Sequence, residues 1–467
     1  MNYTLGEIAR ITRGQLLQGN PGSQVSGFAI DSREEVAGKM FCAISGQKAD
    51  GHDFVSDVAS KGAAGALIQR RVEVDNPAFG LVLVESTVTA LGDMAEFHLG
   101  RLPVTVIGIT GSVGKTSTKD LVGAVLNEKF RTYKNPGNLN SHIGLPLAVL
   151  GMEPDYEYAV LEMAMRAIGE IKQLCDIAKP KIGVLTDISA SHIGVLGTLE
   201  AIARAKAELL EALPPDGLAV LCWDNEKIRE VSSFARCKKI TYGFAGDADV
   251  RGYDIRPSDE GYTDFKVSYK QREFSFRLKL PGTHQVQNAL AAIAIGFELG
   301  LSSDQIARGL VEVSLSPMRL EVMRQNHITI INDAYNASVK SMEAALDLLA
   351  AVAKGRKIAI LGDMLEMGDY GPEAHIQVGR YARNKADVLV AIGPLSTYTK
   401  QGWDEGATGE DLLSSWFPDK QSAGDFLGQL IRPGDTCLVK ASRGFEFERL
   451  VDLLVTLDAH LTGDDQR

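Results

Sequence analysis

The sequence has little with which to build a covalent framework or a membrane span. Its five cysteines (Cys42, Cys175, Cys222, Cys237 and Cys437) are scattered over 467 residues, odd in number and without a C-x-x-C pair. That pattern excludes a disulfide scaffold and leads us to expect reduced thiols in a cytoplasmic protein. No uninterrupted apolar stretch approaches the roughly 18 residues needed to cross a bilayer, so no membrane insertion is expected. The opening MNYTLGEIARITRG lacks the layout of a signal peptide, and its Thr4 and Glu7 instead form the pattern of a helix capping box. Basic charge is in short supply too: 49 Lys and Arg against 60 Asp and Glu leave a net charge of −11, with no Lys/Arg-rich run. This balance supports solubility and argues against nucleic acid as a partner. Low-complexity linkers and short-period repeats are also missing.

What is present is an ordinary globular composition, 45% hydrophobic and 23% charged, in a chain long enough for about three domains of ~150 residues. The most informative run is TGSVGKTS at 110–117. The apolar stretch VTVIGI at 104–109 before it predicts a buried strand. Leu121, Val122, Val125 and Leu126 after it fall on one helical face. A strand, a glycine-rich loop and a helix opening at Lys115 and Thr116 make a phosphate site. Backbone N–H groups and the positive helix end face the anion, Lys115 adds a point charge, and the Thr116 hydroxyl suits Mg²⁺. The loop comprises Thr110, Gly111, Ser112, Val113, Gly114, Lys115, Thr116 and Ser117, with Ile109 where the usual pattern has glycine. ATP or GTP is the expected ligand.

Along the chain three α/β segments alternate strand and helix patterns, with expected boundaries at 1–84, 85–316 and 317–467. The first is a small α/β domain with short strands near 40–44 and 65–68. The second repeats buried strands at 158–163, 182–188 and 218–223, which predicts a parallel sheet covered by helices. Period-two segments between 249 and 280 predict an antiparallel edge, and a helix is expected from 288 to 299, closing at Gly300. The third is doubly wound again, Rossmann-like in shape, with strands in HITIIND, KIAILGD, ADVLVAIG and DTCLVKAS but no G-x-G-x-x-G after the first.

Strand ends of such sheets are where ligands gather. Glu162 ends one central strand and His192 follows another, so with Thr116 they could hold Mg²⁺. The alternatives are a loop histidine and a Glu162 paired with Arg166. Lys206 stands in the helical run AIARAKAELL, where spacing alone makes it a solvated lysine. Asp333, Tyr335 and Asn336, then Asp363 and Glu366, then Lys440, Ser442 and Arg443 follow successive third-segment strands. These are either a binding face or turn formers collected at strand ends.

The segments TGSVGKTS, NLNSHIGLP, LEMAMRAIGEI, DISASHIG, ARAKAE, GTHQVQNALAA and PMRLE together resemble the Mur ligases, the ATP-dependent amide-forming enzymes that assemble the peptidoglycan precursor. NDAYNAS, LGDMLEMGDYGPEAH and LVKASRGFEFERLV resemble the branch whose substrates are UDP-MurNAc-tripeptide and D-Ala-D-Ala. No DNPR-type motif of the branch adding the diamino residue is found. The resemblance implies that Lys115 reaches the β and γ phosphates. It implies that Thr116, Glu162 and His192 hold metal, and that Lys206 is carbamylated beside a second Mg²⁺. Asn288, Arg319 and Asp333 would reach the nucleotide. Asp31, Ser32 and Arg33, with Lys48 and Asp50 in GQKADGHDFV, would hold the uridine-diphosphate sugar, and Asn336, Lys440, Ser442 and Arg443 the dipeptide. A monomer suits three domains that must move. The chain departs from the family pattern at Gln285, Met318 and Ser338, where Asn, Gly and Pro are usual. Two other readings stay open: a ligase for another amino acid or for folate, and a nucleotide-gated regulatory protein.

Overall fold

The computed structural model describes residues 2–46, 49–191, 193–258, 261–405 and 413–461. Among these the strands form one two-stranded ribbon and three larger sheets, in an α/β architecture. The helix Leu5–Ile11 begins as its sequence demands. Thr4 Oγ1 accepts from the Glu7 N–H, and the Glu7 carboxylate accepts from the Thr4 N–H.

The first large sheet runs in the order Gln15–Gln18, Gly80–Leu83, Gly65–Ile68, Met40–Cys42, Phe28–Ala29, antiparallel only in its first pair. The helix Thr87–Leu99, capped by Ser86, leaves this sheet and packs on the central unit's helices Gly144–Leu150 and Glu170–Ala178.

The central sheet has nine strands, and its order decides the site. Thr105–Thr110 lies between Tyr158–Glu162 on one side and Ile182–Leu185 on the other, all parallel. Glu162 is in register with Ile109, and Leu185 with Thr110, so three loops leave the same edge side by side. Beyond Ile182–Leu185 come Leu218–Cys222, Lys238–Gly243 and Val250–Pro257. The period-two segments then close the sheet as the antiparallel strands Thr263–Tyr269 and Arg272–Leu278. Ile109 is fully buried in its strand, so the loop proper begins after it and the missing glycine costs no conformational freedom.

The helix expected from 288 starts five residues earlier, as Thr283–Glu298, with Gly300 just past its end at φ +73°. Its first turn carries His284, Gln285 and Gln287, whose polarity hid the helical period.

The third sheet orders its strands Glu321–Arg324, Thr329–Asp333, Thr436–Lys440, Lys357–Gly362, Val388–Ile392, Leu413–Phe417, with only the first pair antiparallel. The four apolar runs read from sequence are its four inner strands. Both edge strands escaped detection, because EVMR and LSSWF are short, half-exposed and polar in part.

One apolar core runs from Leu5 and Met94 through Ile107, Val160 and Leu290 to Leu346 and Leu438. The far faces of the first and third sheets have cores of their own. The lead into the third unit is pinned to the phosphate-loop helix Lys115–Asn127. Asp120, 3% exposed, accepts from both the N–H and the hydroxyl of Ser316 at 2.8 Å and pairs with Lys134 at 2.9 Å. Asp120→Ala would strand these donors and should lower stability by about 3 kcal/mol, read from the urea midpoint.

Candidate functional site

The phosphate loop owes its shape to two glycines. A Cβ on Gly111 would lie 2.0 Å from Thr186 Oγ1, so only glycine permits that approach. Gly114, at φ +86°, sits in the left-handed region, where a Cβ would also come within 2.6 Å of Asn288 Oδ1. Gly114 caps the helix Lys115–Asn127 without a side-chain hydrogen bond. Unused N–H groups and the positive helix end therefore face the cleft. The loop is held from its neighbour: Ser112 N–H donates to Asp187 O, Ser112 Oγ bonds Ser189, and Thr186 Oγ1 donates to Val113 O at 2.6 Å.

Lys115 lies back along the loop, its Nζ 2.8 Å from Gly111 O and 3.3 Å from Ser112 O. Burial pulls its pKa below the ordinary lysine value, opposed by the nearby Glu162 charge. Thr116 Oγ1 donates to Glu162 Oε2 at 2.8 Å, and Asn140 Nδ2 donates to Glu162 Oε1 at 2.9 Å. Glu162 is therefore not paired with Arg166, whose guanidinium instead meets Glu366 of the third unit at 3.4 Å. Asn135 braces the same strand end: its Oδ1 accepts from the Glu162 N–H, while its carbonyl accepts from the buried Lys119.

A hydroxyl and a carboxylate converging on a phosphate loop fit Mg²⁺, which takes hard oxygens and keeps phosphate and water ligands. His192 lies outside the described residues. Among the described residues no cluster of three or more His, Cys, Asp or Glu could bind a metal ion by itself.

Lys206 overturns the expectation drawn from its spacing. In the helix Leu199–Ala212 it is 2% exposed rather than solvated. Burial pushes its pKa well below the lysine range, the Lys115 charge lowers it further, and Asp187 opposes both. Alternation along the helix could not reveal this, because the face that buries Lys206 is covered by the phosphate-loop sheet.

The Glu162 end of the site opens into a cavity of about 930 Å³ that joins the central and third units. Ser112, Val113, Gly114, Lys115, Thr116, Ser117, Glu162 and Asn288 line it from one side, and Arg319, Asp333, Asn336 and Lys440 from the other. Asn288 is oriented by Thr118 and by Gln285, whose Oε1 accepts from Asn288 Nδ2 at 3.1 Å. His284, in the same turn, has a buried Nε2 without a partner among the described residues. Burial lowers its pKa to about 4, so it is a neutral ring.

Met318 adopts φ +60°, the backbone geometry that explains the family's glycine there, and Arg319 stacks 3.8 Å from the Tyr335 ring centre. Ser338 caps the helix Val339–Val352 in place of proline. Lys440 is 1% exposed and bonds Asp333 at 2.5 Å and the Asn336 carbonyl at 2.8 Å.

Other candidates fall elsewhere. Ser442 is buried and accepts from the Leu365 N–H, and Arg443 pairs with Glu448; neither lines the cavity. Thr110 donates to Met163 O beneath the loop. Arg33 forks onto Asp31, holding that carboxyl at about 2, and Lys61 bonds the Ser32 carbonyl. Asp50 accepts from His52, Ser45 and Arg70. Asp31, Ser32, Arg33 and Asp50 are away from the large cavity, and Lys48 is outside the described residues. Sequence reading missed Asn140, Asp187 and Lys340. The first two lay in the quoted runs NLNSHIGLP and DISASHIG, whereas Lys340 gains a role only through its 2.7 Å pair with Asp187 across the units.

Residues 15–99, 109–296 and 318–443 match, respectively, the Mur ligase family catalytic domain, the Mur ligase middle domain and the Mur ligase glutamate ligase domain. The UDP-N-acetylmuramoyl-tripeptide–D-alanyl-D-alanine ligase of Bacillus subtilis is 37% identical over 458 residues, covering 97% of this chain and 98% of that protein. The Escherichia coli enzyme of the same name is 31% identical over 463 residues, with 97% and 98% covered. The crystal structure of MurF from Acinetobacter baumannii superposes with a TM-score of 0.88 at 28% identity, covering 98% of this chain and 99% of that one. That of MurF from Thermotoga maritima in complex with ADP gives 0.81 at 29%, covering 93% and 98%. On this sequence, fold and site, the chain belongs to the Mur ligase family.

Proposed function

We propose that the chain is an ATP-dependent, ADP-forming amide ligase that joins D-alanyl-D-alanine to UDP-N-acetylmuramoyl-tripeptide, giving the pentapeptide precursor of peptidoglycan. The observation that carries the reading is the single cavity with a phosphate loop on one wall and the NDAYNAS and LGDMLEMG loops on the other. Relatives matched over nearly their full length bear this activity in their names.

We assign residues 1–84 to the uridine-diphosphate sugar, 85–316 to ATP and 317–467 to the dipeptide. Both substrates and ATP are water-soluble, which suits a cytoplasmic enzyme. The cavity needs no second copy of the chain, which suits a monomer.

A free carboxylate forms no amide in water without activation. In this reading a tripeptide carboxylate oxygen attacks the γ-phosphorus and the bond to ADP breaks, leaving an acyl phosphate. Both reactants are anions, so Lys115, the helix end and the loop N–H groups must screen them while the geometry holds them in line. The dipeptide amine then attacks the acyl carbon, loses a proton, and phosphate leaves. Thr116 and Glu162, with His192, would hold Mg²⁺, which supplies Lewis-acid stabilisation of phosphoryl oxygens. Arg319 and Asp333 complete the nucleotide side from the third unit. Of the dipeptide candidates, Asn336 and Lys440 line the cavity, and they take precedence over Ser442 and Arg443.

Buried Lys206 gains a role through carbamylation. Its neutral amine would add to CO₂ with loss of a proton, turning a cation into a carboxylate that fits a second Mg²⁺. A lysine with a lowered pKa is suited to that chemistry, because only the neutral amine reacts.

Phosphate release assayed with each substrate alone and with both tests the reading. Release that requires both, with a pentapeptide product by mass, is expected. Release that needs neither would favour the regulatory alternative. Lys115→Ala should reduce ligation about a thousandfold or more with an unchanged melting temperature. Protein depleted of CO₂ should regain activity on addition of bicarbonate. At a constant CO₂ concentration the recovery should quicken as pH rises through the lowered Lys206 pKa and then level off, and Lys206→Arg should stay inactive with or without bicarbonate.

A further inference from the structure

Two glycines meet where the central and third units touch. Gly194 sits in the single-turn helix Ile193–Leu196, just before the helix that carries Lys206. Gly368 opens the turn Gly368–Tyr370 at the end of the LGDMLEMG loop. The Gly194 N–H donates to the Glu366 carbonyl at 3.0 Å. A Cβ on Gly194 would come within 2.4 Å of Gly368 N, 2.8 Å of Gly368 Cα and 2.9 Å of Glu366 O. All three are backbone atoms and cannot swing aside as a side-chain tip can.

The two glycines are there for different reasons. Gly368 has φ +54°, so its own backbone favours glycine. Gly194 has no such need: its φ is not positive and it lies in a helix, where alanine is the better former. Only the facing loop demands that position 194 carry no side chain. Two ion pairs across the same units flank the contact, Arg166 with Glu366 at 3.4 Å and Lys340 with Asp187 at 2.7 Å, and all four residues line the cavity. The neighbouring Val195 is 58% exposed, so the short helix presents solvent-facing side chains beside this contact.

We propose that Gly194 is a positioning residue for amide formation. By carrying no side chain it lets the 366–368 loop seat on the helix Ile193–Leu196, and that seating brings the dipeptide wall of the cavity to its phosphate wall. The proposal rests on the ligase reading above and names the contact through which the two walls are aligned.

The test compares ligation by the full-length parent, Gly194→Ala and Val195→Ala, with ADP affinity and melting temperature measured on each. Gly194→Ala should keep the parental melting temperature and ADP affinity. It should raise the KM for D-alanyl-D-alanine and cut kcat about tenfold or more, since a shift near 1 Å is enough for such a loss. Val195→Ala should behave as the parent. Parental kcat and KM in Gly194→Ala would overturn the proposal. Should Gly194→Ala lose its melting transition, Arg166→Gln decides: its side chain is 76% exposed, and an exposed ion pair contributes little to stability. A severalfold rise in dipeptide KM supports the contact, and parental values overturn it. A parent that fails to ligate this substrate pair would overturn the ligase reading and this proposal with it, a result distinct from an active parent beside an equally active variant.

Discussion

The parallel pairing of Thr105–Thr110 between Tyr158–Glu162 and Ile182–Leu185 is the constraint on which the rest of the site depends. Parallel strands deliver their loops to one edge, so the phosphate loop, Glu162 and the Thr186–Asp187 turn emerge as neighbours although they are far apart in sequence. Close approach then fixes the details. Gly111 lies against Thr186 and Gly114 against Asn288, so the loop is shaped by the strand on one side and by the Thr283–Glu298 helix on the other.

The third unit repeats the arrangement with a different outcome. Its adjacent strands Thr329–Asp333, Thr436–Lys440 and Lys357–Gly362 also end together, and Asp333 stands opposite Lys440 in register. Their charges are spent on each other in a buried pair, which costs desolvation and holds a rigid wall in return. That wall faces the phosphate loop across the cavity, so residues of both units line the same space.

Charge placement explains why two lysines that look alike in sequence behave differently. Lys115 has Glu162 nearby and loop carbonyls within reach of its ammonium. Lys206 is more deeply buried, and Lys115 repels its charged form. Burial lowers the pKa of both, and that of Lys206 falls the further.

The inner strands of the third unit, the buried strands around the phosphate loop, the loop itself, the capping box and the family were legible in the sequence, because apolar period, glycine placement and short motifs are local properties of the chain. The edge strands Glu321–Arg324 and Leu413–Phe417 were not, since half-exposed edges carry weak patterns. Ser442 and Arg443 looked equivalent to Lys440 in sequence, yet only Lys440 points into the cavity. The burial of Lys206, the release of Glu162 from Arg166 and the Lys340–Asp187 pair were decided by tertiary structure alone. Each depends on packing between segments that are distant in the chain, within one unit for Lys206 and Glu162 and between units for Lys340, and not on any residue's neighbours along the chain.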